Sequence, residues 1–440
     1  MPDSNRREFL KHTGQTAAVT AAMAITHQAR AAAANDVPVV ALIGTGGMGN
    51  GHLELLSRND GIRLAYLCDV DERRLADGVK RAHGNSGHTP KAVKDMRKIF
   101  DDPSVDAVWI ATPDHWHAPA AILAADAGKH VYVEKPCSHN IREGRLMIEA
   151  ARRNKRVMQV GTQSRSTRHI RQAVDRLREG AIGEVLVAKA WNSQLRSNIG
   201  HQKPTAPPDY LDYDLWLGPV PPVPYQSNML PNVWRWWYAF GGGDMGNDGV
   251  HDIDIALWGL GADEHPSTIS ALGGKYYFDD DQQFPDTQYV VFEYAAKGEK
   301  GRKKQLVYEQ RIWSPYVQEG HENGNAFYGT KGMLLLGKKE GYVLTGPRNK
   351  IKEKVKGSGP DLAAHHRNFL ECIKTGEQPH ADIAINHLSS SLCHLGNIAT
   401  RTSRVIHFDP AAEKIVGDED AAKLVHRSYR DGHWAAPKNV

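Results

Sequence analysis

The chain has 440 residues, 40% of them hydrophobic and 24% charged, with a formal charge of +4. That length allows two or three domains with large cores, and the composition is that of a globular chain. No block of like charge is long enough for a nucleic-acid surface, and four scattered cysteines without C-x-x-C spacing do not make a disulfide framework.

The first thirty-four residues read as a leader rather than as part of the fold. Arg6 and Arg7 precede a weakly apolar run, Thr16 to Ile25, and then an Ala-rich stretch with cleavage options after Ala31, Ala33 or Ala34. This order of zones marks a signal peptide, and the paired arginines resemble a twin-arginine leader read by export machinery. The expectation is an exported, periplasmic protein. The run is shorter than the roughly twenty apolar residues a membrane span needs, so no span is expected.

Val39 to Ile43 form an apolar run suited to a strand buried on both faces. Gly44, Gly46 and Gly49 follow in G-x-G-x-x-G spacing, and a helix opens through His52, Leu53 and Leu56. The first glycine permits the tight turn, the second lets backbone approach a pyrophosphate, and the third lets helix and sheet pack closely. Backbone N–H groups of Gly46, Gly47, Met48 and Gly49 are then the phosphate donors. A second strand, IRLAYLCD, ends at Asp69, twenty residues past Gly49, where a ribose-binding carboxylate is expected. A carboxylate there accepts from both ribose hydroxyls of NAD and repels a 2′-phosphate, so NAD is favoured over NADP. Arg73 and Arg74 lie close enough to soften that preference.

Strands and helices alternate up to about Val160, predicting a doubly wound parallel sheet over residues 35–162. Ligands bind beyond the C-terminal ends of such strands, which places Thr112 to His117, Glu134 to Pro136 and Gln163 on one rim. Residues 163–440 change character. A helix near Thr167–Glu179 and a strand EVLVAKAWNS precede a proline-rich arm at 204–224. The aromatic cluster Trp234-Arg235-Trp236-Trp237-Tyr238 then leads into a helix from about Met245. Beta-like runs (TQYVVFEYA, KQLVYEQRIW, AFYGTKGMLLLG and GYVLT) are spaced as an antiparallel sheet, and two helices follow. The expected fold is therefore α/β: an N-terminal Rossmann domain and a C-terminal α+β domain with a large, mostly antiparallel open sheet.

The glycine loop, Asp69, ATPDHWH, Glu134-Lys135-Pro136, the GGG…G-x-H segment and Tyr328-Gly329-Thr330-Lys331-Gly332 resemble, in this order, the Gfo/Idh/MocA oxidoreductases. The resemblance implies a nicotinamide cofactor, sugar or polyol substrates, and a homodimer or homotetramer formed through the open sheet. It places the catalytic lysine at Lys135, the catalytic histidine at His251, and cofactor contacts at Thr112, Pro113, His117 and Glu134. Lysine chemistry agrees: an ammonium at a strand end can hold a hydroxyl oxygen while hydride leaves the carbon. His251 would be the proton acceptor near neutral pH. The family carries Asp four residues before this histidine, where this chain has Asn247, and an amide cannot accept a proton as a carboxylate does. Asp244, Asp248 or Asp254 would have to supply the acid.

Arg235 and Trp236 are substrate candidates, since flat aromatic faces suit a sugar ring and a guanidinium holds a hydroxyl or carboxylate; domain-interface packing is the alternative. His115 and His117 lack further ligands nearby in sequence, so no metal site is expected. Three functions stay in view: an NAD-dependent sugar oxidoreductase, which intact Lys135 favours; a glycoside-cleaving enzyme using transient oxidation; and a non-catalytic sugar-binding protein.

Overall fold

The computed structural model describes residues 37–297 and 301–438; the expected signal peptide lies outside them. Six short strands form one parallel sheet: β1 (Val39–Ile43), β2 (Arg63–Cys68), β3 (Lys91–Val93), β4 (Ala107–Ile110), β5 (His130–Val133) and β6 (Met158–Val160). Their order is β3-β2-β1-β4-β5-β6, with the topological switch between β1 and β4. β1 and β4 are buried at every position, as a strand covered on both faces must be. Helices α1 (Gly47–Ser57), α2 (Glu72–Ser86), α3 (Asp114–Asp126) and α4 (Ile141–Arg153) connect the strands. The sheet is thus the doubly wound Rossmann type.

After α5 (Arg168–Arg178), the chain enters a ten-stranded sheet. Its strands are β7 (Val185–Asn192), β8 (Thr268–Gly274), β9 (Thr287–Lys297), β10 (Arg302–Arg311) and β11 (Asn323–Gly329), followed by β12 (Gly332–Gly337), β13 (Gly341–Thr345), β14 (Ile351–Lys356), β15 (Ile406–Asp409) and β16 (Lys414–Val416). The order is β14-β13-β12-β11-β7-β10-β9-β8-β15-β16; β7 and β10 run parallel, and the other neighbours antiparallel. The run AFYGTKGMLLLG resolves into two strands, because Thr330 and Lys331 make the turn between β11 and β12.

Helices α6 (Val250–Leu260) and α8 (Ile383–Thr402) cover one face of this sheet, while α7 (Leu362–Thr375) packs back on the Rossmann core through Phe369. Along β9 the period of two is clean: Val290, Phe292 and Tyr294 are buried beneath the helices, whereas Tyr289 points out with Leu272 of β8. In α6 only Trp258 escapes burial. Its two buried acids are accordingly paired, Asp252 with Lys338 at 3.1 Å and Asp254 with Arg165 at 2.8 Å. These pairs fix the roll of α6 and hence the direction of His251. All four cysteines are buried and free.

Candidate active site

Gly44 has φ +91°, and a Cβ there would lie 2.5 Å from the Ala111 carbonyl oxygen; a Cβ on Gly49 would lie 2.0 Å from Gly44 O. Both glycines are therefore demanded by the close packing of β1, α1 and β4. Gly46 differs. A Cβ there would meet only the Arg74 guanidinium, at 2.3 Å. Gly46 is the N-cap of α1 and supplies no side-chain acceptor, so the first-turn N–H groups of Gly47, Met48 and Gly49 remain available to a phosphate. Asp69 braces this loop: Oδ2 accepts from Thr45 N–H and Oγ1 at 2.8 and 2.9 Å, and Oδ1 accepts from Asp71 N–H at 3.0 Å. One lone pair on Oδ1 is left to face the cleft.

The cleft holds about 470 Å³ and is lined by the glycine loop, Asp69, Thr112, Pro113, His117, Glu134 and Lys135 from the first domain, and by Asn247 and His251 from the second. A chain segment from the second domain roofs it. Asp71 and Leu211 form a β-bridge, Glu72 N–H donates to Tyr210 O, and Arg73 lies 3.2 Å over the Tyr210 ring. The proline-rich arm is thus ordered and closes the adenosine end beside Asp69. Thr112 Oγ1 is buried with no partner among the described residues, a polar atom that a ligand could satisfy. The bare helix N-terminus, the cradle at Gly46 and the acid at Asp69 together fit a dinucleotide.

Lys135 leaves the end of β5 and its Nζ donates to Asn247 O at 2.8 Å, joining the two domains across the cleft. Behind it, Glu134 is buried, and Oε1 lies 3.0 Å from His52 Nε2. On its other side His52 Nδ1 lies 2.8 Å from His366 Nε2, which also faces the Trp109 indole N–H at 3.3 Å. Burial works to raise the Glu134 pKa, but the His52 hydrogen bond and the charges of His52 and Lys135 outweigh it and hold the acid down at about 2. His52 was not singled out as a site residue from the sequence. Its signal was a polar residue on the apolar face of α1.

His251 stands in the first turn of α6, between the cleft and a second cavity of about 250 Å³. Burial above all, then the charges of Lys135 and Lys338, push its pKa down to about 3, so the imidazole is neutral at pH 7. Asn247 lies in a π-helical turn, Met245–Gly249, that leads into α6; its amide donates to Asp244 Oδ1 at 3.2 Å.

Of the three acids considered as substitutes, Asp244 is fully buried and accepts from Asn192 and Arg196, while Asp254 is committed to Arg165. Neither reaches the cleft. Asp248 is the carboxylate beside His251: both line the smaller cavity, Arg196 pairs with it at 2.7 Å, and Lys338, Arg196 and His251 hold it well below the usual carboxylate range despite burial. Gln163 also faces that smaller cavity rather than the cofactor cleft. Trp236 packs away with Phe278 and Ile312, whereas Trp234 and Arg235 line the cleft. Chain periodicity could not separate these rings, because the short 3₁₀ turn Trp234–Trp236 aims successive side chains apart.

His117 ties two strand ends together, with Nε2 2.9 Å from Thr112 O and Nδ1 2.7 Å from Pro136 O. His115 faces Trp216 O at 2.8 Å. Among the described residues, one His/Glu group has its ligand atoms all close enough together to hold a metal ion: His265, His387 and Glu413. Both histidine Nε2 atoms donate to Glu413 Oε1, at 3.0 and 2.9 Å, and Arg145 bonds the same carboxylate. His265 Nδ1 has no partner, although a metal-bound histidine uses its second nitrogen to hold its orientation. With a guanidinium already on the carboxylate, the set fits a hydrogen-bonded clamp on the β15–β16 turn.

A glycine-loop Rossmann cleft whose strand-end lysine faces a histidine from a second α/β domain defines a two-domain, NAD-binding oxidoreductase scaffold. The chain belongs to the Gfo/Idh/MocA family: residues 39–162 match its NAD-binding Rossmann domain and residues 189–436 its C-terminal alpha/beta domain. It is 32% identical over 174 residues to a myo-inositol 2-dehydrogenase of Thermotoga maritima, covering 40% of this chain and 47% of that protein. To a glycosyl hydrolase family 109 protein of Shewanella pealeana it is 27% identical over 210 residues, 42% and 45% of the two chains. The matched segments thus span about half the length of these curated relatives. The solved aldose-aldose oxidoreductase of Caulobacter crescentus, complexed with glycerol, shares the fold with a TM-score of 0.64 at 19% identity, over 85% of this chain and all of that one.

Proposed function

We propose that the protein is an exported oxidoreductase that transfers hydride between a hydroxyl-bearing carbon of a sugar, sugar derivative or polyol and a tightly held NAD. The observation that carries this is the Lys135 Nζ–Asn247 O contact, which sets Lys135 and His251 around one cleft continuous with the glycine loop. When bound, the nicotinamide supplies the hydride acceptor. Lys135 donates to the reacting hydroxyl oxygen and stabilises charge developing there. His251, neutral at the working pH, accepts the hydrogen bond of the reacting hydroxyl and takes its proton as hydride leaves the carbon, and the Asp248 carboxylate beside it stabilises the imidazolium that forms. The Asn247 amide serves in positioning. Asp69 supports NAD over NADP, since its carboxylate would repel a 2′-phosphate.

Retention follows from the roof of the cleft: the Asp71–Leu211 bridge and the Arg73–Tyr210 stack close the adenosine end. Outside the cytoplasm a retained cofactor would be re-oxidised in place, by a second sugar or by returning hydride to the same substrate. The curated similarity to an inositol dehydrogenase supports the redox reading, and that to a glycosyl hydrolase family 109 protein supports glycoside cleavage with internal redox as the second reading. A homodimer or homotetramer through the exposed face carrying Leu272 and Tyr289 completes the proposal.

The test is a panel of free sugars, polyols and aryl glycosides, followed by nicotinamide absorbance and by released aglycone. Net absorbance change with free sugars, abolished by Lys135→Met, is the expected result. Aglycone release without absorbance change selects the second reading. Protein isolated without cofactor, turning over only with millimolar added NAD, would refute retention.

A further inference from the structure

Arg235 sits in the 3₁₀ turn Trp234–Trp236, at the junction of the cofactor cleft and an adjoining cavity of about 540 Å³. Its Nε is shut off from solvent and has no hydrogen-bond partner, and no carboxylate pairs with the guanidinium among the described residues. The guanidinium carbon lies 5.4 Å from the centroid of the Trp234 ring, within cation–π range. Burial accordingly weakens its hold on its proton.

The charges that face it are all committed. Asp244 serves Arg196, Asn192 and Asn247, and Asp248 serves Arg196. Asp114 accepts from Gly242 N–H, and burial raises its pKa toward the neutral form. A half-buried guanidinium with its Nε shut off and no counter-ion carries an electrostatic cost, which a ligand that brings the anion offsets. The cofactor's phosphates do not do so: they belong at Gly46 and Gly47, where Arg74 already reaches. Arg235 instead feels Asp114, Asp244 and Asp248, the acids around Lys135 and His251.

We propose that Arg235 binds a carboxylate of the substrate, so that the site selects a sugar acid (a hexuronate or its glycoside) over the corresponding neutral sugar. A planar fork beside Trp234 matches a carboxylate in two parallel hydrogen bonds, which a hydroxymethyl group cannot reproduce. This rests on the sugar-binding reading above but names the class of sugar. The reacting hydroxyl stays with Lys135, so charge recognition and chemistry fall to different side chains.

The experiment pairs sugars that differ only at one carbon: glucose with glucuronate and galactose with galacturonate, as free sugars and as aryl glycosides. Binding is measured by calorimetry and by quenching of Trp fluorescence on the cofactor-loaded protein, and turnover in parallel. The acid of each pair should bind at least tenfold more tightly, and Arg235→Gln should cut the acid-to-neutral ratio by about 10- to 100-fold, the worth of a charge-assisted hydrogen bond. Arg235→Lys should restore part of it. Equal binding of acid and neutral sugars, or a ratio unchanged in Arg235→Gln, overturns the proposal. So does loss of NAD as the main effect of that substitution. Acids bound through Arg235 without turnover or aglycone release would leave this inference standing and refute the proposed activity.

Discussion

Replacing His52 by Leu tests the support behind the catalytic lysine. Glu134 is held at about 2 against an ordinary value of 4.5, and at about 1.36 kcal/mol per pH unit this gap contributes about 3 kcal/mol to folding. Because the folded-state value is depressed, the contribution is complete above 4.5 and is lost as pH falls through 4.5 toward 2. His52→Leu removes the hydrogen bond and charge that depress it and leaves burial, which acts the other way. Lys135 and His251 still oppose burial, so the folded-state value rises and the pH-dependent contribution shrinks. Urea unfolding of parent and variant at fixed cofactor concentration, from pH 3 to pH 7, should show a gap that widens with pH and approaches about 3 kcal/mol at neutrality. A gap that stays constant across that range would refute the reasoning.

Asp252 behaves oppositely. Burial outweighs Lys338 and raises it to about 7, so its contribution is present below 3.8 and lost as pH rises through 7; Asp252→Asn should flatten thermal melts over that window. Gly49→Ala drives a Cβ into backbone 2.0 Å away and should give insoluble or low-melting protein, whereas Gly46→Ala meets only an arginine tip, keeping the fold while NADH titration shows at least about tenfold weaker binding. Zinc should leave the melting temperature unchanged, since Arg145 already holds the Glu413 carboxylate; a rise that saturates at one equivalent would reassign His265 and His387 as ligands.

The Rossmann half was legible because β1, β2, β4 and β5 are largely apolar runs and Gly44 and Gly49 are forced by backbone contacts within a few ångströms, whereas β3, exposed at Lys91 and Ala92, was not marked. Strands β8, β14, β15 and β16 were not marked in the sequence: β14, with Lys352, Lys354 and Lys356, is a mostly exposed edge whose register comes from β13 alone. In the site, Lys135 and His251 were found through motif order. The partner acid was not, since Asp244, Asp248 and Asp254 all lie within one or two turns of His251; what separates them is the Arg165 pair on Asp254, the full burial of Asp244, and the cavity that Asp248 shares with His251. Those features depend on elements distant in the chain, and local spacing carries no trace of them. His52 was hidden for the same reason, its role resting on residues 82 and 314 positions away.

The bridge between Asp71 and Leu211 also bears on the order of assembly. A strap from the second domain lies across the mouth of the first, so a dinucleotide leaves only after the strap unpairs. Its residence time then reports the local opening of a short segment rather than the strength of the phosphate contacts. Insertion is easiest before the strap has docked, which makes the cofactor a participant in folding. On the proposal that NAD is retained, a chain that acquires it while closing would need no later supply, and the amount of loaded protein would be decided at synthesis.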